Sequence, residues 1–329
     1  ITRFIEKDYN QVHSNIAING QNLSSKVNQK NYSIGRFECL SLKELRNKTL
    51  NQIRNEKKSS CVVVIDDVRN LLNSATNNGS IFQVASQFNC LEMVSPDVTP
   101  EQGITRYEWD RTQGPACSIA AGAATIYRNY FIPIDKDFGQ TTTRQINNLD
   151  SLTEKLAEDM NCNTSDLWII KNGYVITNEK ALHQMDTHLS NCNENDLDQY
   201  RQLLKIGVHW DVQVTTSLEN QQPIVTQVFC SALPVAYNKA KPSSWSRIAQ
   251  LILEASYEAT LLTGIINKNK SGNNSMFLTL LGDGAFGNKK EWIQKAIIRA
   301  LEVVKYSGLN IKIVSFSEPS NLMKEISYK

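Results

Sequence analysis

The sequence predicts an α/β protein whose largely parallel sheet lies between layers of helices. Three observations point there. Cys61–Ile65 is a continuous β-branched run that stops at Asp66-Asp67, and an apolar run without alternation suits a strand buried on both faces. Ile81–Ala85 repeats the pattern after the breaker Asn77-Asn78-Gly79. Between Phe277 and Phe316 the chain reads strand, glycine turn, helix, strand, the order of an α/β unit.

The elements follow in order. Residues 1–60 are polar with a helical stretch over Leu40–Arg54, and read as an N-terminal helical extension. Strand 81–85 leads into a Pro-punctuated loop from Glu92 to Gln113; loops of that length inside a compact domain are usually functional. Gly114-Pro115 then opens a helix of small residues over Cys117–Arg128, because proline in the first turn has no amide hydrogen to leave unpaired. Residues 135–240 change character. Leu167–Ile170 and Tyr174–Thr177 flank Asn172-Gly173, a hairpin pattern in which Asn-Gly supplies the positive φ of a tight turn. Strands follow at Val208–Val214 and Ile224–Ala232. This region reads as a largely β insertion in a domain spanning 61–329, with extension of the main sheet as the alternative.

Trp245–Gly264 carries Trp245, Ile248, Ala249, Ile252 and Ala255 at helical spacing with a glycine stop. A polar loop (268–274), a strand (277–281) and the turn Gly282–Gly287 come next. The helix 289–306 places Trp292, Ile293, Ala296, Ile297 and Ala300 on one face, and a last strand spans 311–316.

Composition narrows the function classes. A formal net charge of +2 over 329 residues gives no basic face, so no nucleic-acid partner is expected. No apolar run approaches the ~20 residues of a membrane span. Seven scattered cysteines without a CxxC pair read as reduced thiols of a cytoplasmic protein, without a disulfide framework or zinc site. A monomer is expected.

Two strand-to-helix turns, at Gly114 and at Gly282–Gly287, carry the chemistry. A helix N-terminus offers unpaired amides and partial positive charge to an anion, and glycine lets backbone approach a phosphate closely. The second turn spells Gly-x-Gly-x-x-Gly, but a Rossmann site needs further βα units after it, and here one helix and one strand remain. Its expected acid about 20 positions on is replaced by Tyr306-Ser307-Gly308. The P-loop reading fails because Asn288 stands where lysine is required.

Gly282-Asp283-Gly284-Ala285-Phe286-Gly287 before a helix instead resembles the second diphosphate loop of the poly(ADP-ribose) glycohydrolase branch of the macrodomain superfamily. The strand-end acids Asp66-Asp67, the strand ending near Asn89 and the small-residue helix after Gly114 are similar in order to that superfamily. The resemblance covers residues 61–130 and 245–318. It implies a three-layer α/β/α macrodomain-like core, ADP-ribose as ligand or product, no obligatory cofactor or metal, and an ADP-ribosylated protein as substrate. Asp66 or Asp67 would accept the adenine amine, and Asn89 would bind the distal ribose. Amides of Gly114, Ala116 and Cys117 would hold one phosphate, and the loop of Gly282, Gly284, Ala285 and Gly287 the other, with Phe286 beside the distal ribose. The branch also places paired glutamates just after a Gly-Gly-Gly loop. Here Cys117-Ser118-Ile119-Ala120-Ala121-Gly122 holds no acid. That departure is closer to atypical macrodomain ADP-ribosylhydrolases such as bacterial effectors, which makes delivery into a host cell the alternative to a cytoplasmic role.

Cleavage of the C1″ glycosidic bond builds oxocarbenium character, which a nearby carboxylate stabilises while it moves a proton. Asp283, inside the turn, is the first candidate, though it could bond its own backbone instead. Glu92 is the second, otherwise a solvated loop acid. Asp110, with Glu108, is the third, otherwise paired with Arg106 or Arg111. The expected activity is ADP-ribosylhydrolase, with a non-catalytic ADP-ribose reader as the alternative. A cysteine hydrolase using Cys117 and His209 is a further reading, since a helix N-terminus favours the thiolate; a small buried cysteine at a tight helix start explains Cys117 better, and His209 reads as a strand residue of the insertion. Asp66-Asp67 as metal ligands lack a matching acid or histidine cluster.

Overall fold

The structure, a computed structural model, describes residues 1–50, 52 and 57–326. Its central sheet contains β1 (Arg36–Ser41), β2 (Ser60–Ile65), β3 (Ile81–Ala85), β4 (Lys205–Gln213), β5 (Ile224–Cys230), β6 (Ser275–Leu278) and β7 (Asn310–Ser315), in the order β1-β4-β5-β3-β6-β7-β2. Strands β5, β3, β6, β7 and β2 are parallel neighbours. Antiparallel β4 and then β1 complete one edge.

Helices cover both faces. They are α1 (Leu42–Thr49), α2 (Val68–Asn73), α3 (Gln113–Ala120), α4 (Gly122–Tyr130), α5 (Asp150–Asp159), α6 (Glu179–Asn191), α7 (Glu194–Leu203), α8 (Ser246–Ser271) and α9 (Lys290–Val303), with shorter helices between and beyond them. Successive strand residues point to opposite layers. Ile81, Val228, Met276 and Ile311 join the core under α8 and α9, whereas Phe82, Val84, Phe229 and Phe277 join the core under α2, α3 and α4. Each such side chain stabilises the fold by about 1.5–3 kcal/mol when fully buried. Phe82 and Phe277, paired across β3 and β6, stack with ring centroids 4.5 Å apart. The three-layer α/β expectation therefore stands.

Several elements differ from expectation for local reasons. The predicted single helix over 117–128 breaks at Ala121 (φ −105, ψ 54), because the Ala120 carbonyl accepts from the Thr215 amide at 2.8 Å and so leaves the helical ladder. The long helix does not stop at Gly264 but at Gly272, which takes the left-handed conformation (φ 77). Gly264 is a packing glycine: a Cβ there would overlap the Met276 sulfur.

Residues 135–240 are not a β insertion. Leu152, Leu156, Leu182, Met185 and Leu189 recur at helical spacing and bury α5 and α6 in the core that α8 shares. Strands β4 and β5 belong to the central sheet. Nor is the N-terminal segment mainly helical. It forms a three-stranded sheet (Ile16–Asn19, Asn22–Ser25, Asn31–Ser33) and then β1. Of the helix expected over 40–54, α1 spans Leu42–Thr49 behind a Ser41/Glu44 capping box; the end at Arg54 lies outside the described residues. Among the described residues no helix is long and apolar enough to cross a membrane.

Candidate active site

The parallel strands end their carboxyl edges on a shared cleft, the position where open α/β sheets bind ligands. It has two connected parts. A cavity of about 150 Å³ adjoins one of about 940 Å³, and Asp110, Thr112, Gln113, Thr279, Leu280 and Asp283 line both. Gly114 and Pro115 face the smaller cavity together with Gly282, Asp283, Ala285 and Phe286, so the two predicted turns converge.

The first turn is the start of α3. Thr112 occupies the N-cap position without a side-chain cap bond. The amides of Gln113 and Gly114 have no partner among the described residues, whereas Ala116, which lines the larger cavity, donates its own to the Thr112 carbonyl at 3.3 Å. Ala116 therefore differs from its expected role, and Gln113 takes its place as a free donor. The Gln113 side chain extends β3: its Oε1 accepts from the Ala85 amide at 2.9 Å and its Nε2 donates to the Gln83 carbonyl at 2.8 Å. Gly114 is required by close approach, since a Cβ there would overlap the Ala85 carbonyl and the Glu92 carboxylate.

The second turn is built differently. Gly282, Gly284 and Gly287 all have positive φ (77, 83 and 70), which other residues adopt only with strain. The Tyr257 hydroxyl from α8 donates to the Thr279 carbonyl at 2.8 Å and accepts from the Leu281 amide at 2.9 Å, tying the turn to the helix behind it. The Gly287 amide is consumed by the Gly284 carbonyl at 3.0 Å, contrary to its expected donor role. The amides of Gly284 and Ala285 have no partner among the described residues.

Three acids line the smaller cavity: Glu92, Asp110 and Asp283. Asp110 accepts from the Thr112 amide at 2.8 Å. Asp283 is half-buried, and its carboxylate has no partner among the described residues, so it is not the self-bonded turn acid. Glu92 is no solvated loop acid. It is 2% exposed, and its Oε1 has no hydrogen-bond partner among the described residues. Burial drives its carboxyl well above the usual range, Arg128 opposes that shift, and Cys90 and Asp110 add to it. Its backbone is fixed on both sides: the Glu92 amide donates to the Tyr107 hydroxyl at 2.8 Å, and the Met93 amide to the Gln87 side chain at 2.8 Å.

An aromatic wall closes this cavity. Phe286 lies 5.6 Å from both Tyr174 and Tyr237, which are 5.3 Å from each other by ring centroids. Tyr174 follows the Asn172-Gly173 turn of the expected hairpin (Ile169–Lys171, Tyr174–Ile176), and its hydroxyl donates to the Met93 carbonyl at 2.6 Å.

The larger cavity holds Asp66, Asp67, Arg69, Arg111 and Phe316. Asp67 caps α2 and pairs with Arg69, which holds its carboxyl below the usual range. Asp66 spends one oxygen on the Asp67 amide and the Asn70 side chain; its second oxygen has no partner among the described residues. Phe316, 80% exposed, stands at the end of β7.

Other expected residues stand apart. Asn89 is fully buried outside both cavities: its side chain donates to Gln145 at 2.9 Å and accepts from the Leu91 amide at 3.1 Å, beneath the Gly173 turn. Cys117 is buried, its thiol is pushed well up by burial, and it contacts Gln113. His209 faces Arg128 and is held well below its usual pKa by burial and that guanidinium. The structure thus does not join Cys117 and His209 into a nucleophile and base. Sequence reasoning missed Gln87, Gln113, Tyr174, Tyr237 and Phe316. Gln113 adjoined the Gly-Pro helix start, and Tyr174 stood in the legible Asn172-Gly173 hairpin with nothing to mark its side chain, while Tyr237 carries no local pattern. Among the described residues, no group of three or more His, Cys, Asp or Glu side chains is placed to hold a metal ion.

No family model and no curated protein matches the chain. Among solved structures it is similar to poly(ADP-ribose) glycohydrolase from Thermomonospora curvata (7% identity, TM-score 0.46, 97% of this chain and 94% of that one). The same enzyme bound to the inhibitor ADP-HPD gives 8% identity and TM-score 0.44 over the same shares. Poly(ADP-ribose) glycohydrolase from Deinococcus radiodurans in complex with ADP-ribose gives 11%, TM-score 0.42, and 89% and 92%. Likeness at this level leaves the family open.

Proposed function

We propose that this chain is an ADP-ribosylhydrolase in which Glu92 moves the proton. The observation that carries the reading is one buried, unpaired carboxyl on the cavity where both glycine turns meet. The free amides of Gln113 and Gly114 lie on one side and those of Gly284 and Ala285 on the other, a donor set suited to a diphosphate. The larger cavity would take the adenosine half, with Phe316 offering a ring face and Asp66 an acceptor for an exocyclic amine. The smaller one, walled by Phe286, Tyr174 and Tyr237, would take the distal ribose.

Burial keeps Glu92 protonated at a pH where exposed carboxyls are ionised. It would give that proton to the leaving atom of the modified side chain as the C1″ bond breaks. The carboxylate so formed would take a proton from the water that attacks C1″, which regenerates the acid. Asp283 would stabilise positive charge on the ribose from the junction of the two cavities. The products are ADP-ribose and the unmodified protein side chain.

Two measurements on the full chain test this. Calorimetric titration with ADP-ribose is expected to give one saturable site. Incubation with an ADP-ribosylated protein is expected to release ADP-ribose from wild type but not from Glu92→Gln. Binding without release would make the chain a reader, and absence of binding would end both readings.

A further inference from the structure

Arg128 is fully buried in α4, yet every group its guanidinium touches is neutral. Its Nε donates to the Cys90 carbonyl at 2.9 Å, and Nη2 to the Ser118 hydroxyl at 3.1 Å and the Thr125 hydroxyl at 3.4 Å. Nη1 lies 3.5 Å from His209 Nδ1, which must be the acceptor because the guanidinium only donates. The plane sits 3.8 Å over the Phe229 ring. A buried cation without an adjoining anion is costly, so its retention here calls for a role. The Arg128 charge acts against the upward shift that burial imposes on Glu92, a residue tied to it through the loop that starts at Cys90 and itself short of a hydrogen-bond partner among the described residues.

The two are also linked mechanically. Arg128 grips the backbone two residues before Glu92, and through Ser118 it grips α3, whose first turn faces the same cavity. We propose that Arg128 is the positioning residue of the site: it sets the Glu92 loop against the first turn of α3 and supplies the counter-charge that lets Glu92 alternate between acid and base. This rests on the role given to Glu92 above. The other ionisable groups around Glu92 are Tyr107 and Asp110 from the 105–110 segment, Cys90 from its own loop, Cys117 from α3 and Tyr174 from the hairpin. Asp283 lines the same cavity from the second turn. All of these are neutral or negative, so among the described residues Arg128 is the cation in the group.

The test follows Glu92 directly in the unliganded full chain, by NMR of ¹³Cδ-labelled glutamate, with its resonance assigned by loss in Glu92→Gln. Arg128→Met is expected to move the Glu92 midpoint upward by about one pH unit or more. An unmoved midpoint in a folded variant overturns the counter-charge role, whether or not the protein hydrolyses anything. Arg128→Lys keeps the charge but loses the fork. It is expected to hold the midpoint within about half a unit, raise amide hydrogen exchange at residues 91–93 by about tenfold or more, and lower turnover by about ten- to a hundredfold. Wild-type exchange at those amides in Arg128→Lys overturns the positioning role, and this variant carries the test if Arg128→Met does not fold.

Discussion

The two turns that face each other across the cleft present amides by opposite means. At 282–287 glycine is needed for its backbone: three residues adopt positive φ, and a Cβ at Gly284 would meet only open space. At 114 the backbone is ordinary helix, and glycine is needed for contact, because the Ala85 carbonyl and the Glu92 carboxylate fill the space a Cβ would take. One turn takes its shape from its own backbone and is tied to α8 only at its start, through Tyr257. The other exists only through what packs on it, and it is the one that buries the acid. The same residue type therefore reports on conformation in one place and on tertiary proximity in the other.

That contrast can be broken or sharpened by substitution. The largest effect is expected from Glu92→Gln, about 10²–10⁴-fold in ADP-ribose release with ligand affinity kept by calorimetry; a larger loss from Asp283→Asn would reverse the ranking of the two acids. Gly114→Ala is expected next, destabilising by about 1–3 kcal/mol through overpacking and displacing Glu92. Gly284→Ala is expected to cost about 1–2 kcal/mol from backbone strain alone, so the two should melt alike and the pH profile of release should separate them: only the first should disturb it. Phe286→Leu is expected to weaken ADP-ribose binding by up to about tenfold, the worth of its ring contacts. Asp283→Asn is expected to lower turnover by less than about tenfold.

The smallest expected change is in stability. The folded carboxyl of Glu92 titrates above its ordinary value of 4.5, so the native state binds the extra proton. That contribution is complete below the ordinary value and is lost as pH rises through the folded one. Glu92→Gln mimics the protonated form, and its melting temperature should gain on wild type, by a few degrees, as pH rises above the ordinary carboxyl value of 4.5. A constant difference across that rise would mean that Glu92 is not buried in solution.

Much of the frame was legible in the chain. Cys61–Ile65 and Ile81–Ala85 announced strands, and β2 and β3 occupy those residues within one position; β3 is covered on both faces as expected, whereas β2 is the sheet's edge strand and leaves Val62 and Ile65 exposed. The Asn172-Gly173 hairpin and the Gly282–Gly287 turn were legible because left-handed backbone selects a narrow set of residues. The helices over 150–203 were masked by the strand-like runs that flank them, although Leu152, Leu156, Leu182, Met185 and Leu189 stand at helical spacing. The break at Ala121 was illegible because Thr215, far along the chain, makes it.

The site shows the same division. Glycine positions, strand ends and the small-residue helix follow from conformational preference and steric size, properties a residue carries wherever it stands, and the sequence by itself determined them. Which acid is buried, which amides remain free, and that Tyr174 and Tyr237 wall the smaller cavity were decided only when distant segments met. Burial and hydrogen-bond satisfaction are relations between residues, and Glu92 owes its character to Gly114, Tyr107 and Arg128 rather than to its neighbours in the chain.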